Sequence, residues 1–177
     1  MEGMTSLSHP SISKLAAALR EAGMGQAADA IRILDDEVRT AAAAAAALGV
    51  EVGAIANSLV FRGVHEGAPD RPLLALTSGA HRADPGRLAS LTGASRVIKA
   101  DPEFVRAHTG QAIGGVAPVG HPAPVRTLVD RYLERYPIVW AAAGHPKAVF
   151  PTRYVDLLSL TGGVAADVSG QVQDGDS

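Results

Sequence analysis

The segment I-A-N-S-L-V-F-R-G-V-H-E-G-A-P-D-R-P-L-L-A-L-T, residues 55–77, decides the type of fold. Its two ends, residues 55–61 and 73–77, are short apolar runs, and a polar stretch with glycine and proline separates them. Short apolar runs bounded by turn-forming residues are typical of β-strands, so the segment predicts a β-hairpin with a long connection. Asn57 and Ser58 stand at the head of the first run. A buried asparagine needs hydrogen-bond partners, so Asn57 either ties loops together or faces a ligand.

Helical patterns precede this hairpin. Residues 12–19 carry apolar side chains at helical spacing, which predicts an amphipathic helix near the N-terminus. The run 41–47 consists of alanine alone, and Thr40 and Gly49 flank it as N-cap and C-cap candidates. It is therefore predicted to be a small-residue helix that packs closely. Residues 26–37 allow two interpretations, a second short helix or the approach to a strand.

Helices and strands alternate after the hairpin. Asp84-Pro85 and Asp101-Pro102 each predict a helix start, with the acid as N-cap and the proline in the first turn. Apolar positions across residues 125–136 recur at helical spacing and predict another helix. The other predicted elements are strands at 95–100, 138–143 and 164–168 and a helix at 152–160. This order indicates one α/β (α+β) domain in which helices pack on a sheet.

The composition limits the classes of function. A chain of 177 residues is long enough for one domain with a core. Its net charge of −2 argues against binding that depends on a dense basic surface, so no DNA partner is predicted. It has no cysteine, which excludes disulfides, cysteine nucleophiles and thiolate metal sites. No apolar run reaches the roughly 20 residues of a membrane helix, and no signal-peptide pattern is present, so a cytoplasmic protein without a membrane partner is expected.

Several catalytic and cofactor motifs are missing. The sequence has no G-x-S-x-G, no H-E-x-x-H, no P-loop and no dinucleotide-binding glycine pattern between a strand and a helix. Its six histidines lie far apart, and none has the spacing of a zinc site. We therefore predict no metal and no cofactor, and a site made of backbone groups and a few polar side chains.

The stretch I-G-G-V-A-P-V-G-H-P, residues 113–122, combines backbone freedom with stiffness, because it holds three glycines and two prolines. Glycine is kept where the backbone needs unusual dihedrals or where another group comes very close to it. Proline stiffens its neighbours. Gly114 and Gly115 therefore either form an ordinary turn or present adjacent N–H groups that can donate to a developing oxyanion.

Two further polar segments follow predicted strands. In S-G-A-H-R-A-D, residues 78–84, Asp84 is interpreted as a helix cap and Arg82 as a solvated side chain. In A-G-H-P, residues 143–146, a histidine stands just beyond a buried strand, a position that favours the lining of a cleft. The residues that can line a cleft are Ser78, Gly79 and His81 in the first segment and Gly144 and His145 in the second.

Four segments follow one another across residues 40–168: T-A-A-A-A-A-A-A-L-G-V-E-V-G-A-I-A-N-S-L-V-F, S-G-A-H-R-A-D, I-G-G-V-A-P-V-G-H and L-T-G-G-V-A-A-D-V. In this order they resemble the YbaK/ProX family of aminoacyl-tRNA deacylases, relatives of the editing domain inserted in bacterial prolyl-tRNA synthetase. The resemblance implies one domain with a mixed, barrel-like β-sheet surrounded by helices. It also implies metal-free hydrolysis of the ester that joins a wrong amino acid to tRNA, typically proline or cysteine tRNA.

The resemblance divides the chain and suggests its partners. Residues 40–169 are the deacylase-like domain, and residues 1–39 are an N-terminal helical extension. The polar tail, residues 170–177, is predicted to be disordered. The implied partners are the acceptor end of an aminoacyl-tRNA and, as a second candidate, prolyl-tRNA synthetase.

The resemblance also implies roles for individual residues. The glycine-x-x-x-proline loop of the family falls on residues 114–118, where backbone donors polarise the ester carbonyl and a ribose hydroxyl of the substrate helps to position the water. The family histidine falls on His145. Asn57, however, stands where many members have a lysine, so a charged contact worth about 1.5–3 kcal/mol is missing. Arg62 or Arg82 is a candidate to supply the charge instead.

Three functions are consistent with these residues. The first is a deacylase that removes a mischarged small amino acid from tRNA. The second is a non-catalytic aminoacyl-tRNA-binding or regulatory module, and the third is a structural protein with a vestigial pocket. The predicted catalytic residues are Gly114, Gly115, Asn57 and His145, and the predicted substrate-binding residues are Ser58, Ser78, His81, Val116, Pro118 and Gly144.

Overall fold

The hairpin predicted for residues 55–77 is present in a computed structural model, which describes residues 9–38 and 40–169. Its strands are longer than predicted, because β2 is Ile55–His65 and β3 is Ala68–Ser78. The predicted long connection is therefore wrong, since only Glu66 and Gly67 separate the strands. Gly67 has φ +73°, a left-handed conformation that suits glycine in so tight a turn.

The outer half of the hairpin is polar because it extends beyond the main core. There Arg62 of β2 donates to Asp70 of β3 over 3.0 Å, an ion pair that links the two strands. A third strand, β4 (Arg96–Lys99), pairs antiparallel with the same part of β2. These contacts hold polar residues in a strand that the apolar pattern alone did not predict.

One mixed sheet organises the chain. Its remaining strands are β1 (Arg32–Ile33), β5 (Arg126–Asp130), β6 (Val139–Ala142), β7 (Ala148–Thr152) and β8 (Val164–Ala166). The strand order is β1-β7-β6-β2-β3-β5-β8, and β4 pairs with β2. The β2/β6, β3/β5 and β5/β8 pairs are parallel, and the others are antiparallel. The predicted α/β domain with a mixed sheet and packed helices is confirmed.

Helices begin and end close to the positions that the cap residues predicted. They are α1 (Pro10–Glu21), α2 (Gly25–Asp29), α3 (Ala41–Leu48), α4 (Pro85–Thr92), α5 (Pro102–Thr109) and α6 (Tyr154–Thr161). The Thr40 hydroxyl accepts from the backbone N–H of Ala43, and Asp84 and Asp101 cap their helices in the same way. Both interpretations of residues 26–37 are realised, since the short helix α2 leads into strand β1.

The N-terminal segment is part of the main core. The α1 side chains of Ile12, Leu15 and Leu19 are completely buried, in one cluster with Phe150 of β7 and Leu157 of α6. Strand β1 pairs with β7 in the same sheet. Within the described residues, no helix is long and apolar enough to cross a membrane. The predicted disordered tail, residues 170–177, lies outside the described residues.

The helix predicted across residues 125–136 is wrong. The chain there forms strand β5 and then a 3₁₀ turn at Arg131–Arg135. β5 is a central strand with parallel partners on both sides, and residues 127–130 are all buried. A strand buried on both faces reads as a continuous apolar run, which periodicity alone cannot distinguish from a helix. Strand β7 has no counterpart among the predicted elements, and it pairs with β1 and β6.

Candidate active site

A cavity of about 410 Å³ lies at the end of the sheet where β2 begins. Helix α3 forms one wall, strands β2 and β6 form the floor, and two loops form the other wall. The loops are the glycine-rich stretch at residues 113–115 and the turn at 145–146. Five predicted site residues line this cavity, namely Asn57, Ser58, Gly114, Gly115 and His145.

The two adjacent glycines have conformations that favour glycine strongly. Gly114 has φ +89° and Gly115 has φ +87°. A Cβ atom on Gly115 would lie 2.5 Å from the backbone carbonyl carbon of His145, whereas one on Gly114 would meet nothing closer than 4.0 Å. Neither glycine amide has a hydrogen-bond partner within residues 9–38 and 40–169. The loop thus brings two unpaired N–H donors to the cavity wall.

The second half of this loop is anchored in the core. The Ala117 N–H donates to the side-chain oxygen of Gln111 over 2.8 Å, and the His121 ring donates to the Ala117 carbonyl over 2.8 Å. Burial lowers the pKa of His121, so its ring stays neutral near neutral pH. Val116 and Pro118, predicted to bind substrate, are buried beside Ala117 and do not line the cavity. They belong to the buried half of the loop, whereas Gly114 in the first half is exposed.

His145 joins the second loop to the cavity. Its Nδ1 accepts a hydrogen bond from the backbone N–H of Lys147 over 3.0 Å, which places the proton of the neutral ring on Nε2. Burial, followed by the nearby His9 and Lys147, lowers the pKa of His145, and Glu37 acts in the opposite direction. The His9 ring, at the start of α1, packs edge-on against it with 5.0 Å between ring centroids. The site therefore contains a neutral imidazole at neutral pH.

Gly144 connects the two loops that border the cavity. Its N–H donates to the Gly115 carbonyl over 2.9 Å, so the two loops are tied together. A Cβ atom on Gly144 would lie 3.0 Å from Ser11 of α1. Gly144 was predicted to bind substrate, but it is not among the described residues that line the cavity. It lies between α1 and the glycine-rich loop, where close backbone approach leaves no room for a side chain.

Ser78 and His81, also predicted to bind substrate, lie away from the described lining of the cavity. Ser78 donates from its N–H to Asp130 over 3.0 Å and from its hydroxyl to the Gly53 carbonyl over 2.8 Å. His81 Nδ1 lies 2.9 Å from the same Asp130 carboxylate, whose side chain is almost fully buried. These bonds tie the end of β3 to β5, so both residues are structural here.

Neither arginine proposed as a substitute for the missing lysine is at the cavity. Arg62 is paired with Asp70 over 3.0 Å and with Asp101 over 3.6 Å, and its guanidinium lies over the Phe104 ring. Arg82 is exposed on the loop after β3. The described lining has no lysine, arginine, aspartate or glutamate, so its polar groups are neutral.

Several lining residues were missed by the sequence analysis. Trp140 and Ala142 are half-buried and line the cavity, as does Ala141 of the same strand, which is also part of the core. The wall on α3 includes Ala41 and Ala44, and the rim includes Ile113, which is half exposed. Residues 138–143 are uniformly apolar, so the sequence held no signal for which face of β6 is open.

Residues 9–38 and 40–169 contain no group of three or more His, Asp or Glu side chains placed to hold a metal ion. The polar groups at the cavity are thus backbone amides and carbonyls, an asparagine, two hydroxyls, an indole N–H and an imidazole. Such a set can bind a polar uncharged or singly charged group and can stabilise negative charge on oxygen.

Comparison with protein families and solved structures gives consistent matches. A family model described as the aminoacyl-tRNA editing domain matches residues 35–160. The crystal structure of a candidate trans-editing enzyme for prolyl tRNA synthetase is 42% identical, with a TM-score of 0.81, and the match covers 92% of this chain and 99% of that one. The similarity therefore includes the N-terminal segment that packs into the core.

Two curated relatives are proline–tRNA ligases. The ligase of Limosilactobacillus fermentum is 27% identical over 111 residues, which are 63% of this chain and 19% of that protein. The ligase of Levilactobacillus brevis is 29% identical over 108 residues, which are 61% of this chain and 18% of that protein. The chain thus spans about a fifth of the length of these ligases.

Proposed function

Since the chain belongs to the aminoacyl-tRNA editing domain family, we propose that it hydrolyses the ester that joins a wrong small amino acid to a tRNA. The proposed tRNA is that of proline or cysteine, and the acceptor end is the part that enters the cavity. Prolyl-tRNA synthetase is a candidate partner, because two proline–tRNA ligases contain a region similar to this chain. The proposal requires that the cavity bind the aminoacyl group and stabilise the transition state of its hydrolysis.

The observation that carries the proposal is the pair of unpaired amides at the cavity wall. Attack of water on the acyl carbon moves negative charge to the carbonyl oxygen. Gly114 and Gly115 can donate two hydrogen bonds to that oxygen, and preorganised backbone donors are effective because they need no rearrangement. Collapse of the intermediate breaks the bond to the ribose oxygen, which takes a proton, and releases the free amino acid and the tRNA.

The other lining residues orient the substrate. Asn57 offers both a donor and an acceptor without a charge, Ser58 lies beside it, and the neutral ring of His145 lines the same cavity. Alanine side chains and Trp140 restrict the space for the amino acid side chain. A hydrophobic pocket separates substrates that differ by one methylene by only about 1–3 kcal/mol, so we expect exclusion of larger amino acids rather than strict selection of one.

The direct test is deacylation of proline tRNA charged with alanine, cysteine or serine. We expect the protein to accelerate the loss of at least one of these amino acids over spontaneous hydrolysis, while correctly charged prolyl-tRNA is spared. Radiolabelled amino acid released per minute, with a reaction that lacks protein as reference, gives the rate. If no mischarged species is released faster than in that reference, the proposed hydrolysis is wrong.

The rate should fall at acid pH through His145. Because the pKa of His145 is lowered below its usual value of about 6.5, the neutral ring persists at neutral pH and is lost only in more acidic solution. Protonation would turn Nδ1 into a donor that faces the Lys147 N–H, which breaks that bond and disturbs the loop. We expect the rate to decline below about pH 6.5, after subtraction of spontaneous hydrolysis.

A variant of His9 tests the origin of this decline. His9→Asn keeps a good helix N-cap but removes the neighbouring imidazole that lowers the pKa of His145. The acidic decline should then begin at higher pH than in the parent protein. In His145→Gln the same decline should be absent, and an unchanged decline in that variant would show that another group is responsible.

A second candidate function is binding of aminoacyl-tRNA without hydrolysis. It is favoured by Asn57, because the described lining of the cavity has no cationic side chain to contact a phosphate or a charged intermediate. In that case the protein would protect mischarged tRNA from spontaneous hydrolysis. The deacylation assay distinguishes the two functions by the sign of the effect on the rate.

A further inference from the structure

Strand β2 lacks a neighbouring strand along part of one edge. β3 pairs with the other edge along nearly all of β2. On the first edge, β6 pairs only at Ile55 and Ala56, and β4 pairs only at residues 61–64. Residues 57–60 therefore face a gap in the sheet between β6 and β4. The gap opens onto the cavity, whose lining includes Ser58 and Ala142.

The hydrogen-bond pattern shows which residue directs its backbone into this gap. The Gly79 N–H donates to the Ile55 carbonyl over 2.9 Å, and Ala56 lies opposite Ser78. The Ser78 N–H donates to a carboxylate and not to β2. Because bonded and non-bonded pairs alternate in an antiparallel ladder, Ala56 and Ser58 turn their N–H and C=O groups away from β3. On the edge away from β3, Ala56 pairs with β6, whereas Ser58 has no partner strand.

Ser58 also has a side-chain oxygen without a partner. Its Oγ is buried and makes no hydrogen bond within the described residues. Its backbone N–H and C=O face the gap, where neither β6 nor β4 pairs with position 58. Leaving a buried polar group unsatisfied costs about 1–3 kcal/mol, so this unpaired Oγ, beside a cavity and an open strand edge, indicates a ligand.

We infer that Ser58 binds the α-amino group of the aminoacyl ester. The ammonium donates to the Ser58 carbonyl and to its Oγ, so that the substrate occupies the open edge of β2 as an added strand would. Since the described lining has no carboxylate, an ammonium group there is bound by neutral oxygens, and the Oγ of Ser58 is one that has no partner of its own. The inference rests on the proposed function, because it assigns the substrate of that same site. It implies that tRNAs whose amino acid is N-acylated are excluded.

Three esters on the same proline tRNA test this assignment. They are alanyl-tRNA, N-acetyl-alanyl-tRNA and lactyl-tRNA, in which a hydroxyl of similar size replaces the ammonium. Hydrogen bonds to charged groups are the stronger ones, so we expect kcat/KM about tenfold lower for the lactyl ester and about 100-fold lower for the N-acetyl ester. Hydrolysis of the N-acetyl ester within about threefold of the alanyl ester would overturn the inference.

The variant Ser58→Ala adds a readout that a structural role would not give. Removal of Oγ should lower kcat/KM about fivefold to tenfold for alanyl-tRNA but less than about twofold for lactyl-tRNA, because the lost bond is the one to the ammonium. Ser90→Ala on the exposed face of α4 is the control for the substitution itself. An equal loss with both esters would contradict the assignment.

Binding of stable analogues separates this inference from the proposed hydrolysis. The probes are 3′-alanylamido-3′-deoxyadenosine and its N-acetyl derivative, both of which have an amide in place of the ester. Calorimetry should show the free amine binding at least about tenfold more tightly. If the free amine binds more tightly but the ester is not hydrolysed, the proposed function is wrong and the α-amino site is retained. Equal affinity would reject the α-amino site whatever the deacylation assay shows.

Discussion

Gly115→Ala should reduce kcat/KM for deacylation by about 100-fold or more. The added Cβ would lie 2.5 Å from the His145 carbonyl carbon and 2.7 Å from the Pro146 nitrogen, which are backbone atoms that cannot rotate away. The φ of +87° adds strain, because L-residues rarely adopt it. The loop must therefore move, and a displacement of about 1 Å in a catalytic group is enough for a loss of that size. Steady-state kinetics with mischarged proline tRNA measures it.

Two other glycines provide matched controls for this substitution. Gly114→Ala meets the same positive φ without a clash, so it should cost about 1–2 kcal/mol of strain and about tenfold in rate. Gly67→Ala, in the hairpin turn, introduces similar strain far from the cavity and should leave the rate unchanged. Thermal unfolding of all three variants shows whether the fold is intact. Equal rates for Gly115→Ala and Gly67→Ala would mean that the loop geometry does not matter.

Asn57→Ala should reduce kcat/KM by about tenfold to 100-fold, since a hydrogen bond to a charge-bearing group contributes about 1.5–3 kcal/mol. Asn57→Asp keeps the shape but adds a negative charge beside the developing oxyanion, so its loss should be larger. Asn57→Lys introduces the lysine that the resemblance to the YbaK/ProX family implies at this position. We expect this variant to retain activity within about tenfold of the parent. Rates for the three variants under one set of conditions provide the comparison.

The same variants distinguish the enzyme from the binding module. If the parent protein is inactive and Asn57→Lys is active, the non-catalytic function is correct. If the parent is active and Asn57→Ala retains the full rate, Asn57 has no part in the site. Thermal unfolding again serves as the control, because Asn57 lies in a strand of the central sheet.

Local signals predicted many elements of the fold, and long-range pairing decided the remainder. Thr40, Asp84 and Asp101 identified helix starts, because a cap is a contact between residues three apart. By contrast, the apolar spacing of residues 125–136 predicts a helix where β5 forms, since burial of β5 depends on β3 and β8, which are distant in sequence. The hairpin ends were missed because an ion pair and β4 stabilise polar residues there.

The candidate site shows the same division. The Gly114-Gly115 pair was visible because unusual backbone geometry requires glycine, and His145 and Asn57 were visible as isolated polar residues near apolar runs. Ser78 and His81 had the same appearance, but Asp130, about fifty positions further along the chain, binds both of them. The open edge at Ser58 depends on where β6 and β4 stop, which no local pattern encodes.

The most direct test of the account is nuclear magnetic resonance of the Gly114 and Gly115 amides with the stable analogue 3′-alanylamido-3′-deoxyadenosine. If these N–H groups bind the acyl carbonyl, both amide signals should shift downfield and exchange more slowly with solvent when the analogue is added, while the Gly67 amide stays unchanged. If saturating analogue shifts signals elsewhere in the cavity but leaves the signals of these two amides unchanged, the two glycines do not bind the acyl carbonyl.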